Sequence, residues 1–153
     1  MYKIFYLNVI LLFTSLLYSQ TESSAHFNLD DKLAIEGYDP VEYFDQNAQE
    51  GLEKYSTSYN GAIYYFISEA NEEKFLKNPS KYEPQYGGWC AYAMGENGEK
   101  VEINPKTFKI IDDKLYLFYN AYFNNTLKSW NKDEENLKEK ADQYWNKILN
   151  SKQ

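Results

Sequence analysis

The sequence predicts a small single domain of the α+β class, with two β-hairpins, short helices and a C-terminal helical segment. Three observations carry this expectation. Asn60-Gly61 separates two runs rich in tyrosine and strand-forming residues, and both turn residues tolerate positive φ, the strongest short-range hairpin signal. A second pair of runs, Thr107 to Ile111 and Lys114 to Tyr119, flanks Asp112-Asp113. Lastly, Leu137, Ala141, Tyr144, Trp145, Ile148 and Leu149 recur at three- and four-residue steps, the period of a helix with one apolar face.

Along the chain, structure is expected to begin at Asp30. In Gly37-Tyr38-Asp39-Pro40-Val41-Glu42-Tyr43-Phe44, Asp39 can cap a short helix, with Pro40 at its first position and Glu42 at its third. Tyr55–Tyr59 and Ala62–Ile67 are the arms of the first hairpin. Ser68 reads as the N-cap of a helix from Glu69 to Lys77, with Ala70 and Phe75 facing inward, early glutamates and late lysines. Asn78-Pro79 stops it. Pro84 to Gly88 is loop chemistry. Trp89 to Met94 fits either a short helix or an extended segment, and Gly95 to Gly98 reads as a turn. In the second hairpin Leu115, Leu117 and Tyr119 alternate with Tyr116 and Phe118, so both faces are expected to be covered. Ala121 to Trp130 is expected to be helical. Asn131-Lys132-Asp133 then breaks the chain, and Asp133 caps a second helix running to Asn150.

The N-terminus has a different character. Met1-Tyr2-Lys3 carries one positive charge, Ile4 to Leu17 is nearly all apolar, and small polar residues follow. This order predicts a signal peptide over residues 1–20, a disordered tail over 21–29 and the folded domain over 30–150. The apolar run is shorter than the ~20 residues of a spanning helix, so no stable membrane anchor is expected after signal cleavage. The expected location is therefore outside the cytoplasm, in a bacterial periplasm or the extracellular medium.

Composition excludes one class of partner. All 16 basic residues are lysine and the net charge is −7, so the surface lacks both the guanidinium forks and the positive field that phosphate backbones require. No nucleic-acid partner is expected. The 16 tyrosines and 9 phenylalanines are first of all packing material, with many hydroxyls at the edge of the core.

Chemistry concentrates at the single cysteine, Cys90, which follows Tyr86-Gly87-Gly88-Trp89. Three readings compete. Cys90 and Met94, four residues apart, would share a helix face and suit copper or another soft metal. Alternatively, backbone N–H groups freed by Gly87-Gly88 would give Cys90 thiolate character for redox chemistry, with any disulfide intermolecular. In the third, Tyr38, Tyr86, Trp89 and Tyr92 line a pocket for a small apolar or planar ligand, or bind a protein, and Cys90 is a buried core thiol. The one histidine, His26, falls in the expected tail, so hydrolase triads fail and stand-alone catalysis is not expected.

These segments together resemble the YHS-domain family, specifically an exported branch that includes proteins described as YHS-domain (seleno)proteins. The resemblance rests on Gly37 to Phe44, Tyr59-Asn60-Gly61-Ala62-Ile63-Tyr64-Tyr65-Phe66, Asn71-Glu72-Glu73-Lys74-Phe75, Asn78-Pro79-Ser80-Lys81-Tyr82 and Pro84 to Tyr92, five pieces in the same order. It covers roughly residues 33–120. It implies a metal-binding module of the kind found in copper-transporting ATPases and some monooxygenases. In metal-binding members, cysteines flank the strand-to-helix step and the start of the domain. Here Ile67 and Asn71 stand at the first of these places, and Asp39 is offered at the second. The (seleno)protein branch makes Cys90 the natural functional candidate. The leading expectation is soft-metal handling or thiol redox chemistry at Cys90, with the non-catalytic binding module as the alternative.

Overall fold

The computed structural model describes residues 24–151, and the leader-like segment 1–20 lies outside them. Strands β1 (Leu29–Asp30), β2 (Leu33–Ala34), β3 (Leu52–Tyr59) and β4 (Ala62–Phe66) form one sheet in the order β1-β2-β4-β3. β3 and β4 are the first expected hairpin. Tyr59 pairs with Ala62 across Asn60 (φ 50°) and Gly61 (φ 80°), a two-residue turn with both φ positive. β2 adds in parallel through Leu33 and Ile63. Residues 24–29, assigned by sequence to a disordered tail, lie against the domain. Phe27 packs on the core, and the Asn28 N–H donates to the Gly87 carbonyl at 2.8 Å.

Asp39 accepts from the Val41 N–H at 2.8 Å, but it is not the expected helix cap: a 3₁₀ turn (Glu42–Asp45) follows in place of an α-helix, and its N-cap residue is Val41, with no side-chain cap. Helix α1 spans Glu69–Lys77, and the Ser68 side chain accepts from the Asn71 N–H. Its buried residues are Asn71 and Phe75, and Ala70, expected to face inward, is exposed. Two carboxylates draw the Asn71 amide inside and so fix which face of α1 is turned to the core. Phe75 is ringed by Tyr64, Phe66 and Tyr59 at centroid distances of 4.7, 5.3 and 5.9 Å. A single further turn, α2 (Pro79–Tyr82), leads into the 3₁₀ turn Gln85–Gly88.

The segment that sequence left open becomes helical. Cys90 is the N-cap residue of α3 (Ala91–Asn97), which runs through Gly95 and ends at Gly98 with φ 78°, so the turn expected over 95–98 is only its C-terminal close. β5 (Asn104–Ile111) and β6 (Lys114–Phe118) are the second hairpin. Leu115 to Phe118 are all buried. The helix expected from Ala121 is a small hairpin instead. β7 (Asn120–Ala121) and β8 (Asn124–Asn125) are tipped by Tyr122-Phe123, and α4 (Thr126–Trp130) starts only afterwards. The late start follows from hydrogen bonding: the Asn125 side chain accepts from the Leu127 N–H, while the Thr126 N–H and hydroxyl both donate to the Tyr119 carbonyl. α5 (Glu134–Asn150) closes the chain.

β6 divides the interior. Leu115 and Leu117 join one apolar cluster with Tyr43, Tyr64, Phe66 and Phe75, while Tyr116 and Phe118 join a second with Tyr86, Trp130, Leu137 and Ala141. The alternation of a strand thus supplies two cores at once. α3 and α5 approach so closely that a Cβ on Gly95 would lie 2.4 Å from the Leu137 carbonyl oxygen.

Candidate functional site

The segment from Tyr86 to Met94 faces two ways. Cys90 and Met94 point inward and are both 0% exposed. The Cys90 sulfur accepts from the Tyr119 N–H at 3.3 Å and lies 3.4 Å from the Thr126 hydroxyl. That hydroxyl gives its own proton to the Tyr119 carbonyl at 2.8 Å, so the thiol is the donor in the sulfur–hydroxyl contact. Cys90 therefore ties the start of α3 to the end of β6 and the base of the β7–β8 hairpin, and its sulfur is engaged as donor and acceptor. Met94 belongs to the second apolar cluster and Cys90 to the first. Cys90 is the N-cap residue, with φ −57° and ψ 115°, so it precedes the helix that carries Met94. His26 contacts Lys100, with Nδ1 to Nζ at 3.4 Å.

The four aromatics expected to form one pocket are dispersed. The Tyr38 hydroxyl donates to Glu50 at 3.3 Å, and the Trp89 indole N–H donates to the His26 carbonyl at 2.7 Å. Tyr92 is half-buried on α3, with Glu96 beside its hydroxyl. Only Tyr86 reaches the groove beside α5, where its hydroxyl donates to Asp142 at 2.9 Å.

That groove runs between the Gln85–Gly88 turn and α5 and encloses about 510 Å³. Phe27, Tyr64, Tyr86 and Trp145 give it aromatic walls, and Glu83 and Asp142 bring carboxylates. Gly87, at φ +60°, forms part of the wall because a Cβ there would meet Phe27 at 2.8 Å and Trp145 at 2.9 Å. Burial pushes the Glu83 carboxyl above its ordinary pKa, against hydrogen bonds from Asn60 and Tyr64 that lower it. Burial also raises the Tyr86 phenol, and the neighbouring Asp142 carboxylate raises it further.

A second constellation lies beneath the first hairpin. Asp39 is fully buried. Its Oδ1 accepts from the Val41 N–H, and its Oδ2 accepts from the Ile67 N–H and the Asn71 side-chain amide, all at 2.8 Å. The same Asn71 nitrogen donates to Glu42 Oε1 at 2.9 Å, and Glu42 Oε2 accepts from Asn47 at 2.7 Å. Burial raises the Asp39 pKa, and the three donors oppose the rise.

The YHS domain family model matches residues 39–86. No curated protein and no solved structure matches the chain. The YHS match begins at Asp39 and ends at Tyr86, so Cys90, Met94, Trp89 and Tyr92 all fall beyond it, as do the α5 residues of the groove.

The positions where the YHS resemblance implies metal ligands do converge in space, because Asp39 binds both Ile67 and Asn71. They do not fit a metal. Ile67 has no ligating side-chain atom, Asn71 turns its N–H₂ toward the carboxylates, and both Asp39 oxygens are taken by N–H donors. Among the described residues, no group of three or more His, Cys, Asp or Glu is arranged to hold a metal ion. Sequence reasoning missed Glu83, Asp142 and Trp145. The apolar stripe on α5 did name Trp145, but as packing.

Proposed function

We propose that this chain is a non-catalytic small-ligand-binding module whose site is the groove between the Gln85–Gly88 turn and α5, with Cys90 as a structural thiol. One observation carries the reading: the groove has the size of a small-molecule site, aromatic walls and a few convergent polar groups. Soft-metal handling by Cys90 and Met94, with copper as the ion, and thiol redox chemistry at Cys90 have weaker support. The sulfur is enclosed and hydrogen-bonded to Tyr119 and Thr126, whereas a metal ligand or nucleophile must be accessible. The module acts outside the cytoplasm, a reading that rests on the leader pattern of residues 1–20 alone.

The test is a fragment screen by protein NMR beside a copper(I) titration. Shifts centred on Trp145, Tyr86 and Tyr64 are expected from fragments, with no difference in copper(I) uptake between wild type and Cys90→Ser. Stoichiometric copper(I) binding that disappears in Cys90→Ser, with no fragment shifts at the groove, overturns the proposal in favour of metal handling.

A further inference from the structure

We infer that the groove selects an organic cation, an ammonium group carried on a planar or apolar body. The inference rests on the groove being the ligand site, as proposed above. Two carboxylates line it, Glu83 from the turn after α2 and Asp142 from α5. Neither is in an ion pair among the described residues, whose salt bridges join Lys81 to Asp113, Lys109 to Glu134 and Lys138 to Asp112. Lys138, one turn before Asp142 on α5, is bonded to Asp112 and acts on Asp142 only through space. Lys114 also borders the groove, but it is exposed and lies beyond ion-pair distance of both carboxylates.

The internal bonds of the two carboxylates leave acceptor capacity. Asp142 Oδ1 accepts from Tyr86, while its Oδ2 accepts from no described residue. Glu83 accepts from Asn60 at 3.4 Å and from the Tyr64 hydroxyl, both neutral donors. Two carboxylates outside any ion pair among the described residues, in a lining that also includes Tyr64, Tyr86 and Trp145, match the recognition chemistry of a cation on a ring system. An anion would meet both carboxylates, and a neutral ring would leave them uncompensated. The net charge of −7 adds long-range attraction of the same sign.

Three probes of one shape separate the possibilities: 2-naphthylmethylammonium, 2-naphthylmethanol and 2-naphthoate, titrated into the folded chain by calorimetry and by the Trp145 indole resonance. The ammonium probe is expected to bind at least about tenfold tighter than the alcohol, with the carboxylate weakest. Asp142→Asn and Glu83→Gln are each expected to weaken the ammonium probe severalfold more than they change the alcohol's affinity. Asp142 is exposed on α5, so its variant should keep the wild-type Tm even if the Glu83 variant does not. Equal affinities for ammonium and alcohol overturn the charge selection and leave the groove as a site. Absence of binding by all three overturns the groove reading itself.

Discussion

Asp39 and Glu83 are both carboxylates that burial pushes toward the neutral form, yet their surroundings are opposite. Asp39 is enclosed on every side, and its oxygens accept three N–H bonds from the chain around it. Glu83 borders an open groove and accepts only from a hydroxyl and one long amide contact. An enclosed carboxylate whose two oxygens are both engaged by backbone and amide donors is a structural joint. One with acceptor capacity toward a cavity is available to a ligand. Both belong to the YHS segment, so a family match locates chemistry-bearing residues without saying which of these two roles each one has.

The same isosteric change at the two sites should therefore have unequal effects. Asp39→Asn exchanges one oxygen for an N–H₂ that faces a donor, and leaves at least one buried N–H without a partner. Its expected cost is about 3 kcal/mol, read as a lower urea midpoint with an unchanged m-value. A cost under about 1 kcal/mol would mean that the Asp39 cluster does not hold the first hairpin to α1 in the way its bonds indicate.

The enclosed side of the Tyr86–Met94 segment offers the next test. Cys90→Ala removes a buried sulfur with its two hydrogen bonds and should cost about 2 kcal/mol. In the wild type, a neutral-pH thiol reagent should label Cys90 only as fast as the domain opens, with the rate rising in urea in step with unfolding. Rapid labelling of the native protein would restore the redox reading and erase the distinction between a closed and an open side.

Gly87→Ala tests the open side. It places a Cβ at a positive φ and against Phe27 and Trp145, at an expected cost of about 1–2 kcal/mol. It should also narrow the groove and weaken the naphthylmethylammonium probe by more than the stability change explains. Wild-type binding in this variant would move the ligand site elsewhere.

What the sequence could show followed from the range of the interactions. Asn60-Gly61 and the Ser68 cap act within a few residues, and both elements lie where expected. The inward place of Asn71 depends on Asp39, 32 residues away, so propensity chose Ala70 instead. The β7–β8 hairpin was hidden because Tyr122-Phe123 is not a turn-forming pair, and its closure depends on Tyr119 and Thr126 meeting the Cys90 thiol. The groove was least legible, because the Tyr86 hydroxyl reaches Asp142 on α5 across 56 positions. Gly87-Gly88 marked one wall, and nothing local marked the other.

A smaller effect on stability than at Asp39, Cys90 or Gly87 is expected at Glu83, and it carries a sign. Glu83→Gln retains the size and an acceptor oxygen, so the cost at neutral pH should fall within about 0.5 kcal/mol. The pH dependence is more informative. A carboxyl whose folded-state pKa lies above its unfolded value binds its proton more tightly when folded. Its contribution to stability is then fully present below the unfolded value and is lost as the pH rises through the folded one. For Glu83 the window runs from the ordinary 4.5 up to its raised folded-state pKa. Asp39 has the same sign over the corresponding window above 3.8. Wild-type stability should therefore gain from both groups as the pH falls through these windows, and Glu83→Gln should remove only the Glu83 share of the slope. Urea midpoints collected across this range for wild type and variant give that difference directly. A variant with the wild-type slope would show that Glu83 is as well solvated as in the unfolded chain, and the contrast with Asp39 would then be between a buried group and an ordinary surface one.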